Sequence, residues 1–213
     1  MQTGGEDHCF RATGRTGRHL VEQALEKGHE VTALARDSSK VPTQHERLKI
    51  VRGDVLDAAA AEKAVTGSDA VLSALGPTKT STKYVQTRGT ENIVAAMRKH
   101  GVRRLVSLTG AGVRDPKDRP KLFDRVIGAL LKRLQRDVLA DAEGHARVIQ
   151  GSGLDWVIVR GPVLTEGEKK GEYRVGYVGK NSGFKISRAD VADFMLEQAT
   201  DTTHLGQAPM VSY

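Results

Sequence analysis

The sequence predicts an α/β protein, a doubly wound parallel sheet in a single domain. Three observations predict it. Short apolar runs that read as strands alternate with amphipathic stretches that read as helices from residue 13 to residue 160. The stretch 13–36 carries a glycine turn, a helical run, a glycine and an apolar strand at the spacing of one β-α-β unit. Gly53-Asp54, Gly76-Pro77, Gly110 and Gly161-Pro162 stand at or just past the carboxyl ends of strand-like runs, where such sheets place their ligands.

Taken in order, residues 1–10 are the anomaly. The unit that follows needs a central strand before it, buried on both faces and rich in Val, Ile and Leu. Only Cys9 and Phe10 fit, while Gly4, Gly5, Glu6 and Asp7 oppose a buried strand. Residues 1–11 are therefore either a very short, degenerate first strand or not the fold's original beginning. Thr-Gly-Arg-Thr-Gly (13–17) then reads as a tight turn opening a helix, whose Leu20, Val21, Ala24 and Leu25 share one face. Gly28 is expected to end it in the left-handed conformation. Val31 and Leu34 mark a buried strand, with Arg36 at its carboxyl end.

Leu48–Val55 reads as the next strand, Asp57 as the N-cap of a helix through Val65, and Ala70–Leu75 as a strand closed by Gly76-Pro77. A helix ends near His100 with Gly101 as its cap, burying Ile93, Val94 and Met97. Arg104–Thr109 is a strand. Residues 121–150 form a helical region broken near Asp137, and Leu154–Arg160 is a buried strand. Residues 161–187 change character toward Gly, Lys and Glu and are read as substrate-side elements, with β-like pieces near 173–178 and 184–186. Ser187-Arg-Ala-Asp190 opens a last helix in the manner of a capping box. The tail 208–213 is expected to add an edge strand. Residues 12–213 thus read as one domain.

Composition narrows the function. At 213 residues the chain supports one sizeable core. No apolar run approaches the roughly 20 residues that span a bilayer, and the first residues do not read as a signal peptide. A single cysteine, Cys9, rules out an internal disulfide and fits the cytoplasm. The net charge of +7 invites nucleic acid, but Lys and Arg are scattered without interleaved aromatics. The one cluster, Lys132, Arg133 and Arg136, alternates with Leu130, Leu131 and Leu134 as a solvated helix face would. The seven histidines show no ligand spacing, so no metal is expected. Neither a nucleic-acid nor a membrane partner is expected, and the chain is read as a monomer or weak homodimer.

The turn at Gly14 delivers backbone N–H groups and the positive end of a helix dipole to one point, which suits a phosphate. Arg36 lies where a dinucleotide-binding fold meets the adenosine ribose, and a cation there suits a 2′-phosphate. NADP is therefore expected over NAD. Candidates at the strand ends are Gly14, Arg15, Thr16, Arg36, Gly53, Asp54, Ala74, Leu75, Gly76, Thr109, Gly110, Arg160, Gly161 and Pro162.

Ala-Thr-Gly-Arg-Thr-Gly (12–17), Ala-Arg-Asp (35–37), Gly-Asp-Val (53–55), Ser-Ala-Leu-Gly (73–76), Val-Arg-Gly-Pro (159–162) and Ile-Ser-Arg-Ala-Asp-Val-Ala (186–192) together resemble the atypical short-chain dehydrogenase/reductases. The nearest branch is the NAD(P)H-binding group of biliverdin reductase B/flavin reductase and the NmrA-like regulators. The resemblance implies a Rossmann-like fold in which Gly14, Arg15, Thr16 and Gly17 hold the pyrophosphate and Arg36 the 2′-phosphate. It implies Asp54 and Val55 at the adenine, and Ala74, Leu75 and Gly76 on the ribose side of the nicotinamide half. Thr109 and Gly110 would lie beside the nicotinamide, with Arg160, Gly161 and Pro162 behind it. There are two departures. Arg11 replaces the family's opening glycine, where a side chain opposes the close turn. No Tyr-x-x-x-Lys pair follows Thr109, and Tyr84 upstream has no lysine at that spacing.

Hydride transfer asks little of a protein beyond a held cofactor and an oriented acceptor. The reductases this chain resembles work without the Tyr/Lys pair. Ser107 and Thr109, on one face of their strand, are the candidates for polarising an acceptor, though both hydroxyls could equally serve the backbone. Tyr173 and Tyr177 are further candidates for the acceptor pocket. Asp141 and Glu143 fall on different faces of a helix and do not form a carboxylate pair. Two functions remain open: an NADPH-dependent reductase of a small planar acceptor (flavin, quinone or tetrapyrrole-like), and a non-catalytic dinucleotide-binding redox sensor acting through a partner protein.

Overall fold

A computed structural model describes residues 6–10, 14–41, 43–78, 81–122 and 133–213. Arg11, Ala12, Thr13, Leu130, Leu131 and Lys132 lie outside the described residues. The elements are β1 (Glu6–Phe10), α1 (Arg15–Glu26), β2 (Glu30–Ala35), β3 (Leu48–Arg52), α2 (Ala58–Val65), β4 (Ala70–Ser73) and α3 (Val85–His100). They continue with β5 (Arg104–Gly110), α4 (Arg136–Gln150), β6 (Asp155–Gly161), β7 (Val163–Thr165), β8 (Arg174–Gly176), β9 (Lys185–Ser187), α5 (Arg188–Glu197) and β10 (Met210–Ser212).

The main sheet runs β3-β2-β1-β4-β5-β6-β10-β8, parallel throughout except for β8 against β10. The order reverses between β1 and β4, so the crevice outside their carboxyl ends is the topological switch point. β7 and β9 form a separate parallel pair. The anomalous N-terminal segment does supply the central strand. Asp7 pairs with both Val31 and Ala70, and Phe10 with both Leu34 and Ser73. Backbone hydrogen bonding to a committed neighbour on each side needs no particular side chain, which explains how so poor a β sequence takes this place.

Helices cover both faces. α1 and α5 bury Leu20, Val21, Val191 and Met195 against Val31, Val106 and Val159. α2, α3 and α4 bury Ala61, Ile93, Met97 and Ile149 against Val71, Leu105 and Ile158. Strands buried on both sides read as near-continuous apolar runs for this reason. Gly28 (φ +93°) closes α1 as a Schellman motif: its N–H donates to Leu25 O and the His29 N–H to Ala24 O, each at 3.0 Å. Gly101 (φ +72°) caps α3, and Asp57 accepts from the Ala59 N–H at 2.9 Å to cap α2.

One expectation is corrected. The C-terminal strand is internal rather than an edge: β10 lies between β6 and β8, because the 161–187 segment returns a strand outside it. Among the described residues of 121–150, the break expected near Asp137 falls at Gln135, and Asp137 sits in the first turn of α4. No described helix is long and apolar enough to cross a membrane.

Candidate active site at the switch point

One crevice of about 1260 Å³ opens at the carboxyl ends of the strands. It exceeds the roughly 300–1,000 Å³ of common small-molecule sites, leaving room for an extended cofactor and a second molecule. At its centre α1 begins at Gly14 in extended conformation; this glycine offers no capping side chain, and the first turn holds no acidic residue. That end of the helix is left electropositive, and Gly14, Arg15 and Thr16 line the crevice there. Gly17 is buried in the first turn behind them and does not line it.

On one side lie the ends of β2 and β3. Arg36 is 58% exposed and reaches to 3.8 Å from the Asp54 carboxylate, leaving most of its guanidinium for an incoming group. Asp54 accepts from the Leu56 N–H at 3.0 Å. A side chain at Gly53 would put its Cβ 2.4 Å from that of Ala60, so this loop can lie on α2 only as glycine. Val55 is clamped by α3: Asn92 Nδ2 donates to its carbonyl at 2.9 Å, and a Cβ at Gly89 would meet its side chain at 2.9 Å. Arg36, Asp54 and Val55 therefore share this lobe of the crevice.

Ala74, Leu75 and Gly76 follow β4 along the middle. Gln86 Nε2 donates to Leu75 O at 2.9 Å. α3 begins after Tyr84, whose φ of +59° leaves no side-chain cap of its own. Asp141 of α4 supplies one from a distant helix. Its carboxylate accepts from the N–H groups of Gln86 (3.0 Å) and Thr87 (2.8 Å) and from the Thr87 hydroxyl (2.8 Å). The sequence read Asp141 only as unpaired with Glu143. Nothing in the local pattern signals a cap supplied across 54 residues.

On the other side, Thr109, Gly110, Gly161 and Pro162 line the crevice. The Thr109 hydroxyl is buried and has no hydrogen-bond partner among the described residues. Ser107 shares its face but lies one layer deeper, fully buried. Its hydroxyl is 3.2 Å from His145 Nε2 and donates to Ser73 O at 3.4 Å. It does not line the crevice, so its candidacy for contact with an acceptor is withdrawn. The His145 ring is held between Ser107 and the Thr90 hydroxyl, 2.8 Å from Nδ1. Burial pushes its pKa down to about 4, against the pull of Asp141.

Arg160 is the second correction. A cation at a strand end reads as a crevice ligand, but this one is wholly buried. Its guanidinium binds Asp118, the Ala208 carbonyl (2.7 Å) and the Val113 carbonyl (2.9 Å), and it does not line the crevice. Neither tyrosine lines the crevice. Tyr173 packs edge-on against Phe194, and burial together with Glu197 raises its pKa. Tyr177 donates to Gln207 Oε1 at 3.0 Å. The apolar side chains that line the crevice include instead Val138, Leu139, Val163, Phe184 and Met210. The sequence places Val163 and Phe184 in its substrate-side segment, 161–187, but singles out none of the five, because they come from four separate segments.

The topology and the crevice define a Rossmann-like α/β protein with its cleft at the switch point. The chain belongs to the NAD(P)H-binding family, whose model matches residues 12–202. It is 34% identical over 169 residues to an uncharacterized chloroplastic protein of Arabidopsis thaliana, covering 70% of this chain and 55% of that protein. The chain thus spans about half the length of that relative, and less of the next two. Among solved structures, a short-chain dehydrogenase/reductase from Veillonella parvula in complex with NADP superposes with a TM-score of 0.82 at 18% identity, covering 99% of this chain and 95% of that one. ChuY from Escherichia coli O157:H7, described as an anaerobilin reductase, superposes with a TM-score of 0.80 at 20% identity, covering 97% and 96%. At those identities the likeness is one of fold.

Proposed function

We propose that this protein is an NADPH-dependent oxidoreductase that transfers hydride to a small planar acceptor of the flavin, quinone or tetrapyrrole class, without a Tyr-x-x-x-Lys pair. Bound NADPH supplies the hydride. The start of α1, with Gly14, Arg15 and Thr16, receives the diphosphate, and Gly17 lets the turn pack close. Arg36 faces the 2′-phosphate, which favours NADP over NAD. Asp54 and Val55 border the adenine, and Ala74, Leu75 and Gly76 the middle of the cofactor.

The observation that carries the catalytic reading is the Thr109 hydroxyl: a buried donor at the crevice wall with no partner among the described residues. An unsatisfied buried hydroxyl costs free energy unless a ligand completes it. Thr109 orients and polarises the acceptor at the atom that takes up charge, Gly110, Gly161 and Pro162 shape the wall beside it, and the apolar lobe around Leu139 and Phe184 excludes water from the acceptor's face. The NADP-bound and anaerobilin reductase neighbours are consistent with this reading. We read the protein as cytoplasmic and as a monomer or weak homodimer.

The test is NADPH oxidation measured against a panel of flavins, quinones and linear tetrapyrroles, alongside a fluorescence titration with NADPH. Turnover of one acceptor class supports the reading. Tight NADPH binding with no turnover on any member assigns the chain to the redox-sensing alternative, and absence of binding removes both.

A further inference from the structure

Glu166, in the loop after β7, places its Oε1 3.1 Å from Arg15 Nη1 and 3.3 Å from Arg188 Nη1. Both arginines line the crevice. Arg15 opens α1 directly after Gly14, and Arg188 opens α5. Two guanidiniums that converge on one oxygen form a seat for an anion. The two are not equivalent. The Arg188 side chain is only 9% exposed and is pinned by donating to the Leu164 carbonyl at 2.7 Å. Burial and the like charge of Arg15 oppose its ionised form, and Glu166 favours it. Arg15 is 67% exposed and free to turn. Glu166 is half exposed, so little besides this charge contact holds its carboxylate. The rest of its loop is anchored independently. Lys169 pairs with Asp193 at 2.7 Å, and Asp190 accepts from the N–H groups of Lys170 and Gly171 at 2.9 and 2.8 Å.

We propose that Arg15 and Arg188 form a phosphate subsite beside the Gly14 turn, that the Glu166 carboxylate is its internal occupant, and that a phosphate group of the bound ligand displaces it. The identification of that phosphate as part of a dinucleotide rests on the function proposed above. The subsite itself does not. A diphosphate carries the same sign of charge as Glu166 and competes for the same two cations. Glu166 thus acts as a counter-anion that keeps Arg188 from lying buried and unpaired, and its release leaves the Asp190 and Asp193 anchors in place.

Wild type and Glu166→Gln are titrated with NADPH at low and high salt, and thermal shifts are read with inorganic pyrophosphate. Glu166 is exposed enough that the glutamine variant keeps its fold. The variant is expected to bind NADPH about threefold more tightly at low salt, as befits loss of one partly exposed charge contact. The difference is expected to fade at high salt, and pyrophosphate to raise the melting temperature of the variant more than that of the wild type. If wild type binds NADPH and the variant binds equally or more weakly at both salts, the subsite assignment is wrong while the dinucleotide reading stands. If NADPH binds neither protein but pyrophosphate still favours the variant, the subsite stands and the dinucleotide reading falls. No response to either probe removes both.

Discussion

Arg160 closes on Asp118 with both ends of its guanidinium, Nη2 to Oδ1 at 2.8 Å and Nη1 to Oδ2 at 2.9 Å, at a point where the arginine side chain has no solvent contact. The pair joins the end of β6 to the loop that leaves β5. The Asp118 carboxylate also accepts from the N–H groups of Asp115 (2.9 Å) and Val178 (3.0 Å), which brings the substrate-side segment to the same point. Burial works to raise the Asp118 pKa, but the hydrogen bonds from Arg160, Asp115 and Val178 outweigh it and hold the carboxyl below its ordinary value.

Removing one partner leaves a buried charge alone. Asp118→Asn is expected to destabilise the fold by about 3 kcal/mol or more, and Arg160→Met by less, because the Asp118 carboxylate left behind keeps two backbone N–H donors and some solvent contact, whereas Arg160 has no solvent contact. Urea denaturation of the two variants checks the order, and a milder Asp118→Asn would contradict it. The pH dependence has a definite sign. A depressed carboxyl stabilises the fold above its unfolded value, near 3.9, and that contribution is lost as pH falls through the lower folded value.

His145 titrates in a separate window. Its folded pKa of about 4 lies below the unfolded value near 6.5, so the unfolded chain takes the proton first. Stability therefore falls as pH drops from 6.5 toward 4, by an amount on the order of 2–3 kcal/mol at pH 4.5. His145→Gln keeps a polar group between Thr90 and Ser107 and is expected to flatten the profile above pH 4.5. Urea midpoints at pH 7 and pH 4.5 decide it. Equal slopes for wild type and variant would show that His145 is not the group that titrates.

The fold was legible because its signals are local. Gly28 and Gly101 stop helices where left-handed backbone is needed, Asp57 and Ser187 cap helices within three residues, and apolar runs mark the doubly covered strands. The crevice was legible wherever topology puts a strand end, which is why Gly14, Arg36, Asp54, Leu75 and Thr109 converge. What escaped was the direction of side chains and partners far away in the chain. Arg160 and Thr109 both stand at strand ends, yet one turns inward to Asp118 and the other to the crevice. Asp141 caps a helix 55 residues upstream, which no periodicity records. β1 shows the converse, since its residues argue against a strand that its two neighbours impose.

Thr109 gives the sharpest test of the chemistry. Thr109→Val keeps shape and removes the hydroxyl, and it relieves an unpartnered buried oxygen. The variant is expected to be as stable as wild type or slightly more so, and to bind NADPH within about twofold. Its turnover is expected to drop by about tenfold, the worth of one hydrogen bond to the acceptor. Thr109→Ser is expected to recover most of the rate. A valine variant with full turnover would assign the hydroxyl a packing role only.

Arg36 is expected to set the choice of dinucleotide. Its guanidinium sits past the end of β2, 58% exposed, with the Asp54 carboxylate 3.8 Å away as its ion-pair partner. That contact is too long and too exposed to hold it strongly, so a 2′-phosphate arriving on this side meets a cation that gives up little to turn toward it. Arg36→Gln is expected to weaken NADPH binding by about 10- to 100-fold, the range of one charge-assisted contact to phosphate, and to leave NADH nearly unchanged. The loss is expected to shrink as salt is added, because the exposed charge is screened. Competition titrations with NADPH and NADH read both effects at once. An equal loss for the two cofactors would place Arg36 in general support of the β2 end rather than at the phosphate.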